Sequence, residues 1–120
     1  SINIQKESIM GGMSCGDVSS LAWEILKYSA NSSMSISDKA IATTVALLKQ
    51  KEFSNEEIIA GECGVPGVIS LISAMKDKNI CQKLNLNSQS NVLLIGCEGL
   101  TDSEMYNKLL KEGLKTLKND

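Results

Sequence analysis

The sequence predicts an α/β protein: a three-layer piece in which a small, mostly parallel sheet is flanked by helices. Three observations point there. The run Val92-Leu93-Leu94-Ile95 is short, wholly apolar and stopped by Gly96, as expected of a central strand covered on both faces. Ser33-Met34-Ser35-Ile36 alternates polar and apolar residues as a strand does, and a helical pattern follows it directly. Between and around these segments apolar residues recur at helical spacing, and strand signals alternating with helix signals imply parallel pairing.

Taken in order, residues 1–17 are rich in Gly and Ser and lack a clean period, so they read as a loop crossing a surface. From Val18 to about Ala30, the positions Leu21, Ala22, Ile25 and Leu26 fall on one helical stripe, and Lys27 lies near the end where the helix dipole favours a cation. Asn31-Ser32-Ser33 breaks that helix before the strand at Ser33–Ile36. Ser37 suits an N-cap for a second helix carrying Ala40, Ile41, Thr44, Val45 and Leu48 on one side. Ser54-Asn55-Glu56-Glu57 has capping-box spacing and favours a helical turn into Ile58 and Ile59, while a short strand across Ile58–Gly61 is the alternative. Pro66 fits the first turn of a further helix with Val68, Ile69, Ile72 and Met75 inward. A small helix through Ile80–Leu84 and a polar turn, Asn85–Ser90, lead to Val92–Ile95. Thr101 with Glu104 forms a capping box that opens a last helix, with Met105, Leu109, Gly113, Leu114 and Leu117 inward. Residues 1–120 thus read as one domain or fragment, a loop over 1–17 and alternating helices and strands over 18–120, without internal repeats.

Composition narrows the function. With 120 residues, 42% hydrophobic and 22% charged, the chain has the make-up of an ordinary globular protein with one modest core. All 12 basic residues are lysine, against 14 acidic ones, for a net charge of −2. Without Arg there is no planar fork for guanine edges or phosphates, so nucleic acid is not an expected partner. Without His there is no Ser-His or Cys-His nucleophile and no imidazole metal ligand. Cys15, Cys63, Cys81 and Cys97 contain no CxxC pair, and a metal site built from four separate elements is not expected. No apolar run approaches the roughly 20 residues that cross a bilayer. Reduced thiols in the cytoplasm, with no membrane partner, are the expectation.

Two short turns carry the chemistry. Gly61-Glu62-Cys63-Gly64, followed by Pro66, and Gly96-Cys97-Glu98-Gly99, directly after Val92–Ile95, each set a carboxylate and a thiol between glycines where a chain segment hands over to a helix. In open α/β sheets, ligands sit at such handovers. Known phosphate loops do not fit. Gly11 and Gly16 have P-loop spacing, but Asp17-Val18 stands where Lys and Ser or Thr are required, and a negative charge there would repel phosphate. Gly61, Gly64 and Gly67 recur every third residue, unlike a dinucleotide fingerprint. On residues alone, the glycines serve turn geometry and close packing, and Glu62 is a helix N-terminal carboxylate worth under about 1 kcal/mol.

These two turns, the segment Ile9-Met10-Gly11-Gly12-Met13-Ser14-Cys15-Gly16-Asp17 and the helix with Ala22-Trp23-Glu24 resemble one family, diaminopropionate ammonia-lyase. The resemblance runs from Ile9 to about Leu110 and concerns the C-terminal part of the enzyme. It implies a pyridoxal-phosphate enzyme of the threonine dehydratase and tryptophan synthase β fold type, also called fold type II. The complete enzyme would eliminate both amino groups of 2,3-diaminopropionate to give pyruvate and ammonia, and would be a homodimer. The implied cofactor-side residues are Glu62, Gly64, Cys97, Glu98 and Gly99, and the implied substrate-side loop holds Gly12, Met13, Ser14 and Cys15. Three departures fall at the cofactor turns. Cys97 stands where the family has a Ser or Thr hydroxyl toward the pyridine nitrogen, Cys63 where it usually has Ser, and Leu100 where it usually has Asp.

The family's cofactor-bearing lysine and glycine-rich phosphate loop have no match in this chain, and its lysines fall on polar helix faces. The expectation is therefore that the chain alone is inactive and binds pyridoxal phosphate weakly or not at all, with the N-terminal part of the same enzyme as its partner and a small amino acid as substrate. The alternative is a stand-alone, non-catalytic α/β binding or assembly domain derived from that enzyme.

Overall fold

The computed structural model describes residues 1–119. They form five α-helices: α1 (Ser20–Ser29), α2 (Ile41–Lys49), α3 (Pro66–Lys76), α4 (Lys78–Lys83) and α5 (Ser103–Asn119), with single 3-10 turns at Gly11–Met13 and Asp38–Ala40. The expected sheet is overturned: no strand forms among the described residues.

The reason lies in backbone pairing. A strand exists only where its N–H and C=O groups find a partner strand, and an alternating or apolar sequence supplies the faces but not that partner. Among the described residues, residues 32–36 and 91–97 make no backbone-to-backbone hydrogen bond. Leu93 and Ile95 are 86% and 80% exposed, so the run read as a doubly covered strand lies on the surface. The stretch around Ser54–Gly61 is likewise neither helix nor strand. The Ser54 hydroxyl donates to the Glu56 carbonyl and holds an irregular turn that descends to buried Ala60.

Apart from the turn favoured at Ser54–Glu57, the expected helices form, and local chemistry explains their ends. Ser19 accepts from the Ala22 amide at 3.3 Å, and Ser37 caps the 3-10 turn that runs into α2. Pro66 takes the first position of α3, where its missing N–H costs nothing. Asp77 caps α4 through the amides of Asn79 and Ile80. At α5 the cap is Asp102, whose Oδ1 accepts from Met105 at 2.9 Å, one residue later than the expected Thr101. Helices α2 and α4 stop alike. Lys51 and Asn85 adopt left-handed φ of 63° and 53°, and in each case the residue's own amide and the next one fold back onto the last helical turn. Asn tolerates that conformation, whereas Lys51 sits where glycine would be the easier choice.

The core sits between α2 and α5, closed by the start of α3. Ile41, Val45 and Val65 are completely or almost completely buried, and Leu48, Ile69, Tyr106 and Leu109 pack with them. Two helices approach this closely because of Gly113. A Cβ there would land on the backbone carbonyl of Ala42 and within 2.8 Å of the Ala46 methyl. By contrast, α1 forms without burying any residue: Leu21, Ile25 and Tyr28 are 77%, 64% and 83% exposed. In α3 the expected inward stripe is realised only in part, since Ile69 is buried and Met75 is exposed.

Gly113→Ala therefore sets helix propensity, a gain of about 1 kcal/mol, against a backbone collision in a packed interface. The collision wins, and urea denaturation should show a net loss of about 2 kcal/mol or more.

Candidate functional site

The two glycine turns meet. The Glu98 carbonyl accepts from the Gly61 amide at 3.3 Å, and Glu98 Oε2 accepts from the Cys63 amide at 2.6 Å. The thiol of Cys97 lies 3.6 Å from the Cys63 carbonyl. Glu98 Oε1 accepts from the Thr101 hydroxyl at 3.2 Å, which explains why Thr101 is not the cap of α5. Gly64 is required by this approach, because a Cβ would fall on the Glu98 carbonyl oxygen. Gly61 is nearly as constrained, with a Cβ meeting Glu98 Oε2 at 2.6 Å.

A third segment joins them. Gly12 lies against Cys63, such that a Cβ on Gly12 would be 3.4 Å from the Cys63 sulfur, and the Cys15 thiol is 4.0 Å from the Gly12 carbonyl. Residues 12–15, 61–64 and 96–99, far apart in sequence, thus share one corner of the molecule. The loop carrying Gly12 is anchored by Asp38: the Ser8 hydroxyl donates to Oδ1 at 2.6 Å and the Ile9 amide to Oδ2 at 3.1 Å. These donors, Ser8 first, hold the Asp38 carboxyl below its usual value.

The predicted residues take distinct positions. Cys97 is exposed and Cys63 is buried. Burial, followed by the Glu98 and Glu62 carboxylates, pushes the Cys63 thiol up against the opposing pull of the Gly12 amide, so it stays protonated and inert. Glu98 faces inward, with both carboxylate oxygens engaged. Glu62 is half-buried, with no side-chain hydrogen bond among the described residues. Gly99 borders open space, since a Cβ there would meet nothing within 4 Å. Met13 and Cys15 are exposed at the rim and Ser14 is half-buried. No hydrogen bond or ion pair ties a lysine to either turn among the described residues. The described residues also hold no cluster of three or more Cys, Asp or Glu arranged for a metal ion. Sequence reasoning missed Asp38 and Thr101. Nothing in the sequence marks Asp38 as a loop anchor, because beside Ser37 it reads as first-turn helix acid.

A separate groove of about 710 Å³ runs between the 32–35 segment, α3, α4 and residues 92–94, with Met34, Leu71, Ile80, Leu84, Val92 and Leu94 among its walls. Its lining is apolar and shares no residue with the three convergent segments. No helix among the described residues is long and apolar enough to cross a membrane.

The helices thus present a polar corner of glycine turns, a thiol and backbone groups, separate from an apolar groove. The chain is 33% identical over 110 residues to diaminopropionate ammonia-lyase of Escherichia coli K12, and equally so to that of Escherichia coli O157:H7. It is 26% identical over 110 residues to the enzyme of Salmonella typhimurium LT2. Over this stretch, 88% of its length, the chain is homologous to the diaminopropionate ammonia-lyases and corresponds to their C-terminal part. It spans about a quarter, 27%, of the length of these relatives. No family model and no solved structure matches the chain.

The Asp38 anchor gives a pH signature. A carboxyl whose value is lowered by folding contributes fully above its unfolded value, 3.8 as reference, and loses that contribution as the pH falls through the folded value. At neutral pH, Asp38→Ala should speed hydrogen exchange of the Ile9 amide relative to the unmodified chain. The difference should vanish below the ordinary aspartate range.

Proposed function

We propose that this chain forms one edge of the cofactor pocket, and part of the substrate-side cover, of a pyridoxal-phosphate-dependent ammonia-lyase whose other walls lie on a further stretch of polypeptide. The convergence of residues 12–15, 61–64 and 96–99 around an exposed Cys97 thiol carries this reading, and the homology agrees with it.

The donor set fits one side of pyridoxal phosphate only. Cys97 offers a thiol, a weak donor and acceptor, for the pyridine-nitrogen edge. Gly99 leaves room beside it, and Gly12, Met13 and Cys15 border the same corner. Glu98 is not free to contact the ring because two donors already hold its carboxylate. A lysine to carry the cofactor and a phosphate cradle are not found at these turns, so both belong to the missing walls. When bound, the cofactor supplies an electron sink, which makes a proton removable next to the amino group of 2,3-diaminopropionate and lets the neighbouring amine leave. This chain's part is to hold and orient the ring edge and to help keep water from the substrate side.

The uncovered apolar surface supports the same reading. The groove beside α3, the residues 92–95 and the whole of α1 together exceed the scattered apolar exposure of an ordinary monomer surface. The remainder of an enzyme more than three times as long is the natural cover.

Two measurements test the proposal. Treated with pyridoxal phosphate and borohydride, the chain alone should show no stoichiometric trapping on a single lysine; such trapping would contradict the division of the site. A chimera of the Escherichia coli enzyme in which the 110 matched residues are replaced by those of this chain should release ammonia from 2,3-diaminopropionate. Cys97→Ser in that chimera should raise the rate by about threefold to tenfold, since a hydroxyl makes a hydrogen bond about 1 kcal/mol better than a thiol. A folded chimera that releases no ammonia sinks the reading.

A further inference from the structure

We propose that Glu98 is a positioning residue: by clasping the turn at residues 61–64 it fixes where the neighbouring Cys97 thiol stands, a role that rests on reading Cys97 as the ring-facing group.

The geometry is specific. Consecutive residues grip both polar groups of one peptide unit's owner: the Cys63 amide donates to Glu98 Oε2 at 2.6 Å, while the Cys63 carbonyl faces the Cys97 thiol at 3.6 Å. The Glu98 backbone joins in, accepting from Gly61 at 3.3 Å. Oε1 is steadied by Thr101 at 3.2 Å, so the carboxylate is held at both oxygens and does not swing outward. Slack is excluded on the other side, since neither Gly61 nor Gly64 leaves room for a methyl group against Glu98. With the side chain of residue 98 turned inward, Cys97 is the group that this turn exposes. The clasp therefore presents a thiol and withholds the adjacent carboxylate. Hydrogen bonds to a charged acceptor are among the stronger ones available to hold such a geometry.

The test uses the full chain, reduced, with iodoacetamide as probe and mass spectrometry to follow each cysteine. Glu98→Ala and Glu98→Asp, the latter one methylene too short to reach Cys63, should speed alkylation of Cys97 by about threefold or more. Glu98→Gln keeps an acceptor for the Cys63 amide and should restore the original rate. Cys81, on α4, should react equally in every variant. If Glu98→Ala fails to fold, the contrast between the Asp and Gln variants decides alone. An unchanged Cys97 rate in the Asp variant overturns the proposal, as does a Gln variant as fast as the Asp variant, or Cys81 accelerating with Cys97. Because this readout needs neither cofactor nor turnover, altered rates beside an inactive chimera would uphold the clasp and defeat the cofactor reading, and the reverse result would do the opposite.

Discussion

One carboxylate joins the two halves of the candidate site. Glu98 reaches across 35 positions of sequence to the Cys63 amide, and without that bond the turn after residue 95 would keep only the longer contact of the Cys97 thiol with the Cys63 carbonyl as a side-chain tie to the residues before α3. The bond is short, charge-assisted and partly shielded, the setting in which a single hydrogen bond holds a loop against its conformational entropy. The glycines at 61 and 64 follow from it. They are present because the carboxylate and its carbonyl occupy the space that side chains would need.

The remainder of the molecule divides into a well-packed part and an uncovered part. Helices α2 and α5 meet at Gly113 and enclose most of the buried residues, and α3 docks on them through Val65 and Ile69. Around that small core lie α1, whose apolar residues Leu21, Ile25 and Leu26 are exposed, and the exposed apolar run Val92–Ile95. The chain covers only 27% of its relatives' length.

Much of the helical structure was legible in the sequence. Pro66, Ser37 and the apolar spacing of Ile41, Val45 and Leu48 act within a few residues of themselves, and the helices they specify formed. The strands were not legible, because pairing is a property of two segments and the sequence of one describes only its faces. Val92–Ile95 has the residues of a buried strand but no neighbour to supply hydrogen bonds. At the site, sequence pointed to both glycine turns, and the structure brings them together. It did not reveal that Glu98 faces inward, since a carboxylate between glycines reads the same whether it meets a ligand or a backbone amide. The shift of the α5 cap from Thr101 to Asp102 has the same origin, for Thr101 is recruited by a partner outside its own helix.

The bare flank of α1 has an optical consequence. The single tryptophan of the chain, Trp23, is half exposed on that helix, while Tyr106 is sealed in the core. Indole emission therefore registers the polarity around α1 rather than the integrity of the α2 and α5 pair. The chain carries a native fluorophore on the surface most in need of cover, so occupancy of that flank and folding of the interior are separable signals without any added label.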